Sequence, residues 1–269
     1  MPIFRKYIPE MDVVIIGSGN IAQYLCEKCH VVGHKVLQIV ARNSKRGNLL
    51  AEIGNSSFSD DYNSISRNAN IYIIAVSDSA IANVAAYIKP INGLVLHTAG
   101  NVSKDVLQIC SNNYGVLYPL QSIVSSSIIN KDFPFLIDSN SVENLRHLQL
   151  FAQSLSNNIF EANDEYRQNI QLAAVIANNF TNHLFTLTHQ FCKEHQVSFD
   201  LLFPLLEETV HRLKFAEPSI WQTGPAIRND NTTISKHIEI LKDNKSLQNI
   251  YTTMTESIQS LYKTKNNNL

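Results

Sequence analysis

The chain has 269 residues, which is more than one ordinary domain of roughly 100–200 residues, so two domains are expected. Its 44% hydrophobic and 17% charged residues are typical of a globular protein with a buried core, and 22 Lys and Arg residues against 23 Asp and Glu residues exclude a strong overall field for nucleic acid or an anionic membrane. The longest apolar run, residues 71–76, is far shorter than the roughly 18 residues that span a bilayer, which argues against a membrane protein.

Strand-like and helical segments alternate through the first half of the chain. Strands rich in Val, Ile and Leu are predicted at residues 12–17, 35–41, 70–76, 93–98 and 115–120, with further strands at 133–138 and 158–162. Helices are predicted between them at residues 20–29, 44–54, 79–88, 103–112 and 141–155. This alternation is typical of a parallel sheet that helices cover on both faces.

The second half of the chain is helical throughout. Residues 164–196 form one long helical pattern without Pro or Gly, with apolar residues three and four positions apart. Shorter helical patterns follow at 199–213, 235–241 and 246–264. We therefore predict an α/β domain at residues 1–162 and an all-α domain at residues 163–269.

A glycine-rich turn follows the first predicted strand, in the segment VVIIGSGNIA. At the junction of a strand and a helix in an α/β domain, this GxGxxA spacing indicates a Rossmann dinucleotide-binding site. Gly17 permits the tight turn, Gly19 lets the backbone approach a pyrophosphate, and the helix N-terminus attracts the anion. A purely structural glycine turn is the alternative. The predicted cofactor-binding residues of this turn are Gly17, Ser18, Gly19, Asn20 and Ile21.

The residues after the second strand indicate which dinucleotide binds. An NAD enzyme is expected to have Asp or Glu there, bound to the ribose hydroxyls, whereas this chain has Arg42, Asn43, Ser44 and Lys45. A guanidinium can bind a 2′-phosphate through two hydrogen bonds, so Arg42 and Ser44 are predicted to hold that group. The alternative, a solvated basic helix start, is disfavoured because cations there oppose the helix dipole. We predict NADP(H) as the cofactor.

Eight segments of the chain together resemble a known family. They are GSGNIA, VARNSK, IIAVSDSAI, LHTAGNVSKDVL, YPLQSI, AAVIANNFTNHLF, PLLEETV and QTGPAIRNDNTTISKHIEIL, in this order. They resemble a bacterial family of Rossmann-like proteins that are usually labelled NADP oxidoreductases and carry a C-terminal helical domain of unknown function. More distantly, the chain is similar to pyrroline-5-carboxylate reductase and to the 6-phosphogluconate dehydrogenase superfamily.

The resemblance covers nearly the whole chain but supplies no substrate. It implies an NADP-binding domain, a helical dimerisation domain of the 6-phosphogluconate dehydrogenase C-terminal type, and an active-site cleft between the two. Ala75, Val76 and Ser77, in the third of these segments, are included among the expected cofactor-binding residues. The chain departs from the family pattern at Tyr118 and Gln171, where members commonly carry His.

Two candidate catalytic residues lie at the ends of predicted strands. His97 is expected at the carboxyl edge of the sheet, where open α/β sheets bind ligands, and it is the first candidate for an acid, a base or a substrate-holding group. A histidine that caps its own loop is the alternative. Tyr118, at the end of the next strand, could donate a hydrogen bond to a carbonyl group or serve as an aromatic wall.

The long helical pattern carries further polar candidates. Gln171, Asn178 and Asn182 are spaced to share one helix face, with Thr181 beside them. Amides in apolar surroundings need hydrogen-bond partners, so they either line a cleft or bond across a helix interface. The hydroxyacid dehydrogenases of the superfamily carry a lysine one turn before such an asparagine. Ala174 stands at that position before Asn178, which disfavours a lysine-dependent mechanism.

The segment QTGPAIRNDNTTISKH is unusually polar for a connection between helices. Gly224 and Pro225 are predicted to start a new helix with Arg228 one turn in, and Asp230 to cap the next helix. Arg228 is a candidate for binding a substrate carboxylate or phosphate; a structural pair with Asp230 is the alternative.

These features predict an NADP(H)-dependent oxidoreductase that acts on a small, anionic carbonyl or imine compound. The alternative is an NADP(H)-binding sensor without turnover, which the loss of the two histidines favours. A homodimer through the helical domain is expected from its apolar helix faces. No nucleic acid or membrane partner is expected. The N-terminal residues have no apolar signal segment, so a cytoplasmic location is expected. The pair Cys26 and Cys29 is predicted to be buried core rather than a metal or redox site.

Overall fold

The computed structural model describes residues 9–88, 91–124, 129 and 131–266, with side chains up to residue 263. The first eight residues, for which the lack of a signal segment was predicted, lie outside this described part. The chain divides into two compact units, Met1–Ala177 and Asn178–Leu269. The first unit therefore continues past the predicted boundary at residue 162 and includes the helix Asp164–Ala174.

The first unit contains one sheet of eight strands among its described residues. They are β1 (Asp12–Ile16), β2 (Lys35–Val40), β3 (Ser57–Ser59), β4 (Ile71–Ile74), β5 (Leu94–His97), β6 (Tyr114–Pro119), β7 (Phe135–Ser139) and β8 (Ile159–Glu161). Their order across the sheet is β3-β2-β1-β4-β5-β6-β7-β8. The carboxyl ends of β1 to β6 lie at one edge, since these strands pair in parallel.

The α-helices of the first unit follow the predicted alternation. They are α1 (Asn20–Val32), α2 (Ser44–Ile53), α3 (Asp78–Tyr87), α4 (Val142–Leu155) and α5 (Asp164–Ala174). Local signals set their limits: Gly33 ends α1 in the left-handed conformation, and the Ser141 hydroxyl accepts a hydrogen bond from the Asn144 amide at the start of α4.

Three features differ from the sequence-based prediction. The sheet is not wholly parallel, because β7 pairs antiparallel to β6. The short strand β3 was not predicted, since three residues are too few to show a periodicity. The segment predicted as a helix at 103–112 forms a 3₁₀-helix at Lys104–Ile109, whose N-cap Ser103 accepts a hydrogen bond from the Asp105 amide.

The core of the first unit lies on both faces of the sheet. Successive residues of β1 point to opposite faces: Val13 and Ile15 belong to one cluster of buried side chains, and Val14 and Ile16 belong to the other. This explains the continuous apolar strands, because neither face meets solvent. Cys26 and Cys29 are fully buried in the first cluster, as predicted from their helical spacing.

The second unit is helical, and its described part contains α6 (Thr181–Glu194), α7 (Phe203–Arg212), α8 (Asn231–Ile240) and α9 (Lys245–Asn266). The long pattern at 164–196 is not one α-helix, because residues Val175–Phe180 form a π-helix between α5 and α6. A π-helical segment changes the rotation per residue, so the α-helical spacing from which one stripe of Gln171, Asn178 and Asn182 was predicted does not hold through residues 175–180. Among the described residues, no helix combines the length and the apolar character that crossing a membrane requires.

The segment before α8 also differs from the prediction. Residues 225–229 form hydrogen-bonded turns, in which the Asp230 amide donates to the Pro225 carbonyl at 3.0 Å, so Pro225 does not begin a helix. Gly224 adopts a positive φ of 108°, which glycine tolerates best. The predicted cap is confirmed: Asp230 accepts hydrogen bonds from the Thr233 amide at 3.0 Å and the Thr233 hydroxyl at 2.7 Å.

Candidate functional site

The turn between β1 and α1 has the geometry that its glycines predicted. The Gly17 amide donates to the Val40 carbonyl at 2.8 Å, and Gly17 has a φ of 132°. A Cβ atom on Gly17 would overlap the Ala75 carbonyl oxygen, so the turn requires glycine here. A Cβ on Gly19 would meet nothing within 4 Å, which leaves the backbone of α1's first turn open to a ligand.

A cavity of about 500 Å³ lies over this turn. It brings together ten of the eleven predicted cofactor-binding residues, which are Gly17, Ser18, Gly19, Asn20, Ile21, Arg42, Asn43, Ala75, Val76 and Ser77. The eleventh, Ser44, is an exposed residue at the start of α2 and is not part of the lining. Ala41, Tyr62 and Ile123 also line the cavity and were missed. Ile123 is the last residue of the segment YPLQSI, in which only Tyr118 was considered, and Tyr62 lies in a connection without a recognisable motif.

The charge of the cavity fits a phosphorylated ligand. No carboxylate is present among the described residues of the lining, and Arg42 is exposed at its rim. The Asn43 side chain accepts from the Arg46 amide at 3.1 Å and caps α2, while the Arg46 guanidinium donates to Asn20 at 3.2 Å. The second contact holds the Arg46 guanidinium beside the glycine turn, and with Arg42 it makes two cationic groups there that would attract a phosphate.

His97 ends β5 at the same edge of the sheet but has no exposed surface. Its Nδ1 atom accepts from the Ala99 amide at 3.2 Å, and Nε2 makes no hydrogen bond of standard geometry to the described residues. Burial, together with the nearby positive charge of Arg167, lowers the pKa of His97 to about 4. The ring is therefore neutral at physiological pH, and its geometry favours the loop-capping alternative over acid–base chemistry.

The neighbour of His97 is a buried arginine that sequence reasoning missed. Arg167 on α5 has no exposed surface and donates to Asp164 at 2.6 Å, to the Val102 carbonyl at 2.8 Å and to the Ala162 carbonyl at 3.3 Å. Asp138 lies 4.0 Å away. In the sequence, DEYRQ reads as an ordinary charged helix start, so only the fold shows that Arg167 joins α5 to the loop after β5.

Tyr118 and Gln171 meet at the carboxyl edge of β5 and β6. A Cβ atom added to Gly100 would lie 2.9 Å from Cζ of Tyr118 and 2.9 Å from Cδ of Gln171. Both side chains are half-buried, and the structure shows no hydrogen bond from either side chain to the described residues. Burial, and secondarily the charge of Asp78, raises the pKa of Tyr118, so its hydroxyl stays protonated. The two residues that depart from the family pattern thus both lie beside Gly100, as a pair of polar side chains.

The remaining candidates belong to the second unit, and each is exposed. Asn178 lies within the π-helix, and Asn182 lies in the first turn of α6. Arg228 lies in the turn before α8, and no ion pair within 4.0 Å joins it to Asp230 in the described part of the chain. Hydrogen bonds from Thr233, and to a smaller extent the charge of Arg228, lower the pKa of Asp230, so the two charged groups interact without a contact ion pair.

Comparison with known proteins identifies the family. A crystal structure of BF3122 from Bacteroides fragilis, classed as an NADP oxidoreductase, is 32% identical; the match covers 94% of this chain and all of that one, with a TM-score of 0.87. The chain therefore belongs to the same family of NADP oxidoreductases as BF3122. The family model described as "NADP oxidoreductase coenzyme F420-dependent" matches residues 12–96, and a domain of unknown function, DUF2520, matches residues 133–258. No curated protein matches the chain.

More distant structures share the fold of this NADP oxidoreductase family. A pyrroline-5-carboxylate reductase from Streptococcus pyogenes is 11% identical over 93% of this chain and 99% of that one, with a TM-score of 0.63. An imine reductase from Myxococcus stipitatus in complex with NADP⁺ is 12% identical over 95% and 93%, with a TM-score of 0.62. At these identities the likeness concerns the fold alone, and it agrees with the predicted Rossmann sheet followed by helices.

Proposed function

We propose that this chain is an oxidoreductase that uses NADPH to reduce a small, anionic imine or carbonyl compound. Its membership of a family of NADP oxidoreductases makes NADP(H) its cofactor. The acid-free cavity with Arg42 at its rim supports the phosphorylated cofactor. The observation that carries the reductase proposal is the pair Tyr118 and Gln171, two half-buried polar side chains at the sheet edge where α/β folds bind ligands.

The pair lies at the same carboxyl edge as the nucleotide cavity, two strands from β4, and the residues that follow β4, 75–77, line that cavity. Tyr118 is in β6, and Ile123, which follows the same strand, lines the cavity. The bound cofactor would supply the hydride, and the chain would supply the groups that orient and polarise the acceptor. Tyr118 Oη is protonated and can donate a hydrogen bond to the nitrogen of an imine or the oxygen of a carbonyl. The Gln171 amide offers a second donor and an acceptor at the same place.

The anionic part of the substrate is proposed to bind Arg228. This guanidinium is exposed, and its neighbour Asp230 is already used as a helix cap. A guanidinium is suited to a carboxylate because it offers two parallel hydrogen bonds. Asn178 and Asn182 are proposed as further polar groups for the substrate; a substrate site between the two domains stays a prediction.

A homodimer through the helical unit is also part of the proposal. Large apolar side chains of this unit are exposed in the single chain, among them Leu201, Leu205, Val210, Leu213, Phe215 and Ile220. Exposed apolar side chains in this number are typical of a surface that another protein covers. Sedimentation equilibrium should show a dimer; a monomer across the micromolar range would contradict this part of the proposal.

The experiment that tests the activity follows NADPH oxidation at 340 nm with a panel of cyclic imines bearing a carboxylate and of 2-keto acids. Oxidation with at least one of them is expected, and Y118F should lower kcat while leaving the Kd for NADPH unchanged. Tight NADPH binding without oxidation across the panel would favour the sensor instead.

A further inference from the structure

The nucleotide cavity has an aromatic side chain that no motif accounts for. Tyr62 lines it together with Arg42, and it is the only aromatic residue among the described residues of the lining. Tyr62 begins the 3₁₀-helix Tyr62–Ser64, shortly after β3. Because β3 pairs with β2, and Arg42 follows β2, Tyr62 lies on the β2 side of the cavity.

The ring of Tyr62 is held in place by the protein. It stacks on Tyr87 at the end of α3, with ring centroids 6.5 Å apart and an interplanar angle of 11°. The turn that carries it is fixed as well, since the Ser64 hydroxyl donates to the Asp61 carbonyl at 2.7 Å and Gln38 donates to the Ser64 carbonyl at 3.1 Å. Tyr87 is 71% exposed, so core packing does not explain an aromatic side chain there.

We propose that Tyr62 is the surface on which the adenine ring of NADP(H) stacks, and that Tyr87 holds Tyr62 in position. In Rossmann folds the residue after the second strand faces the 2′-position of the adenosine ribose, which here is the position of Arg42. The adenine is attached to that same ribose and therefore lies on the β2 side, where Tyr62 is found. Stacking needs only the flat face of the base, which an oriented phenol ring provides. The inference rests on the proposed use of NADP(H).

The test measures ligand affinity by calorimetry, without turnover. The ligands are NADP⁺, NAD⁺, adenosine 2′,5′-bisphosphate and nicotinamide mononucleotide, and the variants are Y62A, Y62L and Y62F. Y62A and Y62L should weaken NADP⁺ and the bisphosphate by the same factor, on the order of tenfold, because both lose the ring. Y62F should bind like the wild type. No variant should change the affinity for nicotinamide mononucleotide. Y87A should show a smaller loss in the same direction.

The outcomes separate this inference from the proposed function. Unchanged NADP⁺ affinity in Y62A and Y62L would overturn the stacking role. A loss of affinity in Y62F that is confined to ligands with a 2′-phosphate would also overturn it, because the hydroxyl would then be assigned to that phosphate. A wild-type protein that binds neither NADP⁺ nor NAD⁺ would instead remove the proposed function. Thermal unfolding without ligand identifies a variant that misfolds. Y62L keeps an apolar side chain of some bulk, which Y62A lacks, so it controls for the loss of packing.

Discussion

Tyr118 on β6 and Gln171 on α5 are separated along the chain but converge on the same side of Gly100. The space for both exists because residue 100 has no side chain: a Cβ there would lie 2.9 Å from an atom of each. The buried Arg167, one helical turn before Gln171, hydrogen-bonds to the Val102 carbonyl and so fastens this part of α5 to the loop after β5. The polar pair therefore has a fixed location at the carboxyl edge.

Replacing Gly100 with Ala should displace the pair without unfolding the protein. Gly100 does not have a positive φ, and the atoms met by the new methyl group are the ends of side chains that can move. We expect kcat/KM to fall about 10- to 100-fold, since misplacement by about 1 Å has effects of this size. The free energy of unfolding should change by less than about 1 kcal/mol. In a Q171A background, the same substitution should have a smaller effect; equal effects in both backgrounds would contradict the proposed contact.

Replacing Arg42 with Ala should change the preference between cofactors. Hydrogen bonds to a charged group contribute about 1.5–3 kcal/mol, so the Kd for NADP⁺ should rise about 10- to 100-fold. The Kd for NAD⁺ should stay within about twofold, because NAD⁺ lacks the 2′-phosphate. Calorimetry with both dinucleotides measures the ratio. R42K keeps the charge but not the two parallel donors, and it should fall between the wild type and R42A. Parallel losses for both dinucleotides would refute the role assigned to Arg42.

Substitutions at Gly17 and Gly19 should act on different properties. In G17A a methyl group would overlap the Ala75 carbonyl at a backbone angle that only glycine adopts easily, so the protein should lose at least about 2 kcal/mol of stability. In G19A the methyl group meets no protein atom and the fold should be retained. Since that group projects where a pyrophosphate would approach, the Kd for NADP⁺ should rise. Urea unfolding and calorimetry on both variants separate the two effects; normal NADP⁺ binding by G19A would argue against the predicted phosphate position.

His97 should make stability depend on pH in a known direction. Its pKa falls from 6.5 to about 4 on folding, chiefly through burial, so between these values the unfolded chain binds more protons than the native chain. This contribution is fully present above pH 6.5 and is lost as the pH falls through 4. It amounts to about 3 kcal/mol, since each pKa unit is worth about 1.4 kcal/mol. The measurement is the free energy of unfolding in urea at pH 7 and at pH 4. Its decrease between these two pH values should be smaller in H97N than in the wild type by about 3 kcal/mol. Equal losses in both proteins would contradict a buried, neutral His97.

Local sequence was sufficient to predict most of the residues that line the cavity over the glycine turn. The glycine turn, its two flanking strands and Arg42 are close together along the chain, and a strand–turn–helix unit restricts where each of them can lie. The same holds for the Asp230 cap, which needs only the three residues that follow. The prediction of one continuous helix through residues 164–196 was wrong, because the periodicity gave no signal of the π-helical segment within it.

The sequence by itself determined the two-part organisation, the buried parallel strands and the glycine turn between β1 and α1, because each depends on the pattern of neighbouring residues. Tertiary structure alone decided that Tyr118 and Gln171 meet at Gly100, that Tyr62 reaches the nucleotide cavity, and that Arg167 is buried beside His97. These contacts join elements far apart in the chain, and their distances follow from how the strands are ordered and how α5 is joined to the loop after β5. Residue spacing carries no information about such distances, so only the folded chain shows which polar groups share a site.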